Sequence, residues 1–191
     1  MTRPLKLQSK NAERYPIPPI ITRDKWGAQK PEISKLERHE IDRITIFHSG
    51  HRIPPKHSSR QHLLDMEHLI INQKKLGDLP YHFDIDPDGL IYQCRDIIFK
   101  GQSQSGYHTD GHILICVMGD FDEQLFPKQL LASVVSLCAW LCDKFDIPPE
   151  LIKGHRDYAK TTCPGRDLYR YIADNTIRRM VECRLKRVQI A

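Results

Sequence analysis

Near its C-terminal end the chain reads GHRDYAKTTCPG, from Gly154 to Gly165, and this stretch constrains the fold more than any other. Ile152, Lys153 and Gly154 read as a short strand opening into a turn, and Pro164 and Gly165 stop the segment ahead of a helix. The loop between these two marks carries His155 and Cys163, with seven residues separating them. Imidazole nitrogen and thiolate sulfur are the donors that a borderline-soft ion such as Zn²⁺ prefers, and a loop of this length can fold both onto one ion. The same spacing also describes a core thiol beside a surface imidazole, so the pair points to a metal without establishing one.

The rest of the chain alternates strand and helix patterns. Arg43 to His48 is rich in β-branched residues, with Ile44, Ile46 and His48 on one face, and Ser49 and Gly50 break the strand just beyond His48. His51 and His57 in the loop that follows are expected to be solvated. Ser58 with Gln61 three residues on gives a capping box, and Leu63, Met66, Leu69 and Ile70 continue at helical spacing to about Lys75. Pro80 to Ile85 alternates as a strand that turns at Pro87, Asp88 and Gly89 into Leu90 to Gln93, which predicts a β-hairpin. A Gly-, Ser- and Gln-containing loop with His108 leads into an apolar strand, Ile113 to Met118. Leu130, Leu131, Val134, Leu137, Cys138 and Leu141 form the stripe of the longest helix, and Asp167 to about Cys183 reads as a C-terminal helix. Strands interleaved with helices, plus a hairpin, predict an α/β fold: a single domain with a mixed central β-sheet flanked by helices. The expected organisation is an extended N-terminal arm over residues 1–20, one domain over 21–183 and a basic C-terminal tail over 184–191.

Composition narrows the function. The net charge of +5 over 191 residues suits an acidic or polyanionic partner, but it is too small and too scattered to argue for nucleic acid. No run of about eighteen apolar residues predicts a membrane span, and the N-terminal stretch lacks the apolar core of a secretory signal. A protein made without a signal peptide is therefore expected, acting in the cytoplasm or released by lysis or a dedicated secretion route. The six cysteines match no compact disulfide framework, and Cys138 and Cys142, one helical turn apart, read as buried small hydrophobes.

The Gly154 to Gly165 segment resembles the C-terminal zinc segment of the type-2 N-acetylmuramoyl-L-alanine amidases, the family of phage amidase endolysins and peptidoglycan recognition proteins. Further likeness lies in the segment Thr22 to Ala28 around Trp26, in ITIFHSG from Ile44, in PYHFDIDPDGLIYQ from Pro80, in GYHTDGH around His108, and in Gly119, Asp120 and Phe121. The resemblance runs from about Ile21 to Ile172. It implies an amidase-like fold and a Zn²⁺ ion held by His48, His155 and Cys163, which leaves a tetrahedral ion one open position. It also implies that Tyr81 faces the metal and assists catalysis, that Thr161 stands beside the metal and that His108 faces the substrate. The implied substrate is peptidoglycan or a muropeptide, cut between the lactyl group of N-acetylmuramic acid and L-alanine, and a monomer is expected. At the position of Thr161 phage members carry lysine and catalytic recognition proteins carry threonine. Members that prefer diaminopimelate stems carry a Gly-Trp pair after the hairpin, where this chain has Asp96 and Ile97 behind Arg95.

Three other readings fit parts of the pattern. A non-catalytic peptidoglycan-binding module would use the same fold, although such modules typically lose the cysteine that is present here as Cys163. A thiol hydrolase would use Cys163 as nucleophile and His155 as base. A structural zinc or nucleic-acid module would need a second Cys or His pair, which the chain lacks. No His-Glu-x-x-His segment is present, which disfavours a metalloprotease of that kind.

Overall fold

Six short strands account for the sheet: β1 (Ile20–Ile21), β2 (Arg43–His48), β3 (Phe83–Ile85), β4 (Ile91–Gln93), β5 (His112–Val117) and β6 (Ile152–Gly154). The computed structural model describes residues 15–54, 57–103 and 105–190. The strands form one sheet in the order β1-β4-β3-β5-β2-β6, parallel throughout except for the β3–β4 hairpin. The mixed α/β sheet expected from the sequence is therefore present. β2 and β5 are central and pair over their full length, from Arg43 beside His112 to His48 beside Val117. Their β-branched and apolar composition follows from that position, because a parallel strand with neighbours on both sides is buried on both faces.

Alternation assigns each face its own role. Ile44 and Ile46 of β2, Ile113, Ile115 and Val117 of β5, and Phe83 and Ile85 of β3 belong to the main core, packed against helix α3 (Lys128–Phe145). The opposite face carries Phe47, Leu114 and Cys116 and is covered only in part, by the short helix α2 (Ser59–Glu67) and the turn α1 (Arg23–Trp26). Ser58 caps α2 by accepting the Gln61 N–H at 3.1 Å, the first half of the expected capping box, while the Gln61 side chain turns to Asp65 at 2.8 Å rather than back to the cap, and a π-helical stretch (His68–Gln73) continues the helix. Trp26 is buried, and its indole N–H donates to the Gln93 carbonyl at 2.8 Å, which ties α1 to β4. Asp146 ends α3 in the left-handed conformation, its N–H returning to the Cys142 carbonyl. Cys138 and Cys142 are buried apolar neighbours on α3, as expected.

Two expectations about the chain ends change. The C-terminal helix is two helices, α4 (Arg166–Ala173) and α5 (Thr176–Ile190), because Asn175 takes a positive φ of 61° and Asp174 Oδ1 accepts the Thr176 N–H at 2.8 Å to start a new helix. Residues 184–190 are thus the last turns of α5 rather than a tail, with Leu185 and Val188 packed on the core. Most of the N-terminal arm, residues 1–14, lies outside the described residues. Tyr15 is buried on the domain, donating its N–H to Asp143 at 2.9 Å and accepting from Arg184 at its hydroxyl at 3.0 Å. Among the described residues no helix is long and apolar enough to cross a membrane.

Beneath α1 and α2 lies an ionic cluster that hydrophobic patterning does not reveal. Arg23 bridges Glu67 at 3.2 Å and Asp78 at 3.0 Å, both carboxylates essentially without solvent contact, and also donates to the Cys94 and Gln29 carbonyls. The neighbouring buried Arg95 donates to the carbonyls of Leu79, Lys100 and Asp78. These guanidinium groups join α1, α2 and the start of the hairpin into one unit.

Candidate active site

The partly covered face opens into a cleft of about 480 Å³ at the carboxyl ends of the parallel strands. This is the edge at which α/β sheets gather their ligands, because the chain leaves each strand there through a loop. His48, His155, Cys163, Tyr81 and Thr161 all line it. Five of the six residues singled out in the sequence are thus brought together. The sixth, His108, is exposed and is not among the residues lining the cleft, whereas its neighbour Tyr107 packs against His155.

His48 is buried at the last position of β2, and its Nδ1 accepts the Phe121 N–H at 3.3 Å. That bond takes up the Nδ1 lone pair and places the proton of the neutral ring on Nε2, so His48 must release the Phe121 N–H before Nδ1 can hold a metal. β6 delivers His155 at the start of a short 3₁₀ turn (His155–Asp157). The ring lies 4.3 Å from Phe47 and 5.3 Å from Tyr107, measured between centroids, so its plane is fixed by aromatic packing. Its Nε2 meets Ser105 at 2.6 Å and Ser103 at 3.3 Å, while its Nδ1 is buried without a hydrogen-bond partner among the described residues. Burial lowers the pKa of both imidazoles, that of His155 to about 4. Both are therefore neutral at physiological pH, the form in which imidazole binds metals.

Cys163 returns to this point from the far side of the loop. Its Sγ receives the His48 N–H at 3.4 Å, and burial pushes the thiol up to about 12. Several contacts fix the loop: Arg156 N–H to the Cys163 carbonyl at 3.0 Å, Asp157 to the Gly154 N–H at 2.8 Å, and Arg156 stacked 4.4 Å from the Tyr169 ring centre. Thr161 contributes by accepting the Cys163 N–H at 3.2 Å, so its hydroxyl orients the cysteine. Gly165 ends the loop at φ 87°, where a Cβ would stand 2.6 Å from the Phe121 backbone, so only glycine lets α4 begin so close to the β5 exit.

The donor chemistry fits a zinc ion: two neutral imidazoles, one with an orphaned buried nitrogen, and a thiol that would ionise at neutral pH only beside a cation. As the side chains stand, no three His, Cys, Asp or Glu among the described residues are grouped closely enough to hold one. The thiol hydrolase reading fits less well, because His155 Nε2 is directed at serines and the Cys163 thiol is pushed away from thiolate formation.

Tyr81 precedes β3 and packs on Phe47 with ring centroids 5.1 Å apart. Burial raises its phenol well above the usual value, so it keeps its proton and can only act as a donor or a neutral acceptor. Ser103, Ser105 and Asp84 also line the cleft. The serines carried no sequence signal, but Asp84 did: with Phe83 and Ile85 on the core side of a strand, Asp84 must point to the other face. It is the one carboxylate among the cleft-lining residues, and it accepts from the Cys94 thiol at 3.2 Å. Burial pushes it up to about 6, offset by hydrogen bonds from Cys94 and Cys116. A carboxyl raised in the folded state binds its proton more tightly there than in the unfolded chain, so stability falls as pH rises from about 4 through about 6. Asp84→Asn is expected to stabilise the protein at pH 8 by up to about 3 kcal/mol and to do little at pH 4. Urea unfolding at the two pH values measures this, and an equal change at both would remove Asp84 from the explanation.

A mixed sheet with a His, His, Cys and Tyr cleft at its carboxyl edge places the chain among the α/β domains that gather a ligand where the strands end. Comparison identifies the family. Residues 37–166 match the family described as N-acetylmuramoyl-L-alanine amidase (Amidase_2), and the chain belongs to that family. It is 28% identical over 156 residues to peptidoglycan recognition protein 1 of Bos indicus, covering 80% of this chain and 82% of that one. A variant of Drosophila PGRP-LB, solved in complex with tracheal cytotoxin, superposes with a TM-score of 0.70 at 27% identity, covering 81% of this chain and 92% of the other. The amidase LysC of Clostridium intestinale shares the fold, with a TM-score of 0.65 at 22% identity over 83% of this chain and 98% of that one.

Proposed function

We propose that the chain is a zinc-dependent N-acetylmuramoyl-L-alanine amidase, hydrolysing the amide between the lactyl group of N-acetylmuramic acid and L-alanine in peptidoglycan or its fragments. The observation that carries this reading is the convergence of His48, His155, Cys163 and Tyr81 on one cleft in a member of the amidase family. The complex of the PGRP-LB variant with tracheal cytotoxin supports a peptidoglycan fragment as the ligand class.

His48, His155 and Cys163 would hold the ion, and the chemistry a bound zinc supplies is a water pKa lowered from 15.7 to about 7 and a polarised carbonyl. The chain's own residues do the rest. Phe47 and Tyr107 fix the His155 plane, and Thr161 orients Cys163 through its N–H. Tyr81, protonated at any working pH, donates to the scissile carbonyl oxygen as negative charge gathers there, and that bond strengthens only in the transition state. Some recognition proteins bind without cutting, and retention of Cys163 together with Tyr81 favours catalysis here.

Tyr81→Phe tests the assignment. Folding and zinc content should stay unchanged while kcat falls about 10²- to 10³-fold, roughly 2.7 to 4 kcal/mol of transition-state stabilisation. Wild-type turnover by this variant on peptidoglycan would take Tyr81 out of the chemistry.

A further inference from the structure

Asp84 is a buried carboxylate at the wall of the cleft with no cation beside it among the described residues. It is 7% exposed, and the cleft-lining residues include no Lys, no Arg and no other Asp or Glu. Its hydrogen bonds come from two thiols, Cys94 at 3.2 Å and Cys116, and a thiol is a weak donor. Arg23, which donates to the Cys94 carbonyl, is already shared between Glu67 and Asp78. We propose that this part of the cleft is a subsite for an alkylammonium group with Asp84 as its counter-ion, and that the chain thereby selects stem peptides bearing a lysine-type side chain.

The walls suit the carbon chain of such a group. Cys94 packs in one cluster with Leu63, Leu79 and Met66, and those three residues line the cleft together with Asp84 and Cys116. Methylene groups can lie along them while the ammonium reaches the carboxylate, as long cationic side chains bury a stem and keep the charged head on a polar partner. A carboxylate has about four lone-pair sites, so Asp84 keeps acceptor capacity beyond its two thiols. Burial pushes its carboxyl up to about 6, so at neutral pH it is mostly ionised and poorly compensated. An ammonium arriving from the cleft would offset that desolvation.

Strand register gives the distance from the reacting centre. Asp84 stands beside Cys116 and Cys116 beside Phe47, so the three form one row across β3, β5 and β2. With neighbouring strands about 4.8 Å apart, Asp84 lies about 10 Å across the sheet from β2, whose next residue is His48. An extended peptide covers that distance in about three residues. The separation suits recognition rather than bond cleavage, and it matches the diamino acid of a stem peptide whose L-alanine is being released. A lysine there ends in an ammonium alone. Diaminopimelate adds a carboxylate, which would meet Asp84 with no Lys or Arg among the described cleft-lining residues to receive it, so the same side chain selects against it.

The alkylammonium subsite stands without the amidase reading, whereas its assignment to a stem peptide rests on that reading, and the experiment separates the two. n-Butylammonium titrated into the full chain at constant pH and salt should shift the Asp84 carboxyl ¹³C resonance more than n-butanol does. No shift, or the same shift with both probes, overturns the subsite. The zinc-loaded chain is then offered an equimolar mixture of soluble muropeptides that differ only in carrying lysine, Nε-acetyl-lysine or diaminopimelate, and mass spectrometry follows their cleavage. The lysine form should lead in kcat/KM by about 10- to 100-fold, and Asp84→Asn should bring the ratio close to one. Cleavage without preference, or a preference that survives Asp84→Asn, overturns the proposal and leaves the amidase reading intact. No cleavage of any muropeptide, beside a shifted Asp84 resonance, would overturn the amidase reading and the choice of stem peptide while the alkylammonium subsite stands.

Discussion

Cys163→Ala is expected to lose stoichiometric zinc and, with it, turnover on peptidoglycan by at least about 10³-fold, because several kcal/mol of charge stabilisation depart with the ion. The loop should survive, since the Arg156 to Cys163 backbone bond, the Asp157 cap and the Arg156 stack on Tyr169 do not involve the thiol. Metal analysis and far-ultraviolet circular dichroism on the purified variant measure the two halves of this expectation. A variant that still carries one zinc would show that the ligand set is wrong. A wild-type protein that resists chelation but dies on thiol alkylation would turn the reading toward a cysteine nucleophile.

The second large effect lies away from the cleft. Arg23→Met removes the cation shared by Glu67 and Asp78 and leaves two buried carboxylates uncompensated, which is expected to cost about 3–5 kcal/mol. Burial already raises both carboxyl groups above their usual range, opposed by Arg23. Without the guanidinium they rise further, so the folded variant binds protons that the unfolded chain has released. Its stability therefore falls as pH increases above the ordinary carboxylate range, and the penalty should be larger at pH 8 than at pH 5. Urea unfolding of wild type and variant at both pH values checks the sign. A penalty independent of pH would mean that lost packing of the arginine stem, rather than stranded charge, is the cause.

The sequence was most informative where local chemistry and periodicity agreed. The β-branched run of β2 identified both the strand and His48 at its end, and the Gly and Pro marks around His155 and Cys163 identified the loop that carries them. Tyr81 and Thr161 were legible only through resemblance, because an aromatic in a strand and a threonine in a loop are chemically ordinary. The polar interior was not legible. Glu67 sits in an amphipathic pattern and Arg23 in a charged turn, and nothing local states that they meet 44 residues apart. His82 is similar: inside the hairpin it is fully buried, bonded to the Leu114 N–H and the Phe99 carbonyl, and lowered to about 3, a fixed link between strands. The break at Asn175 escaped because the apolar spacing on either side continues, and only a left-handed residue followed by a capped N–H marks the division. His108 kept its place in the resembling segment, but the loop carries Tyr107 toward His155 and His108 out to solvent.

The direct measurement is mass spectrometry of the ends released when the zinc-loaded protein acts on intact sacculi and on soluble muropeptides. Stem peptides with a free L-alanine amine should appear, paired with intact lactyl-bearing glycan, and should vanish on chelation and return when zinc is restored. Release of reducing sugar ends, or tight binding of the fragments with no free amine at any zinc level, would contradict an amidase.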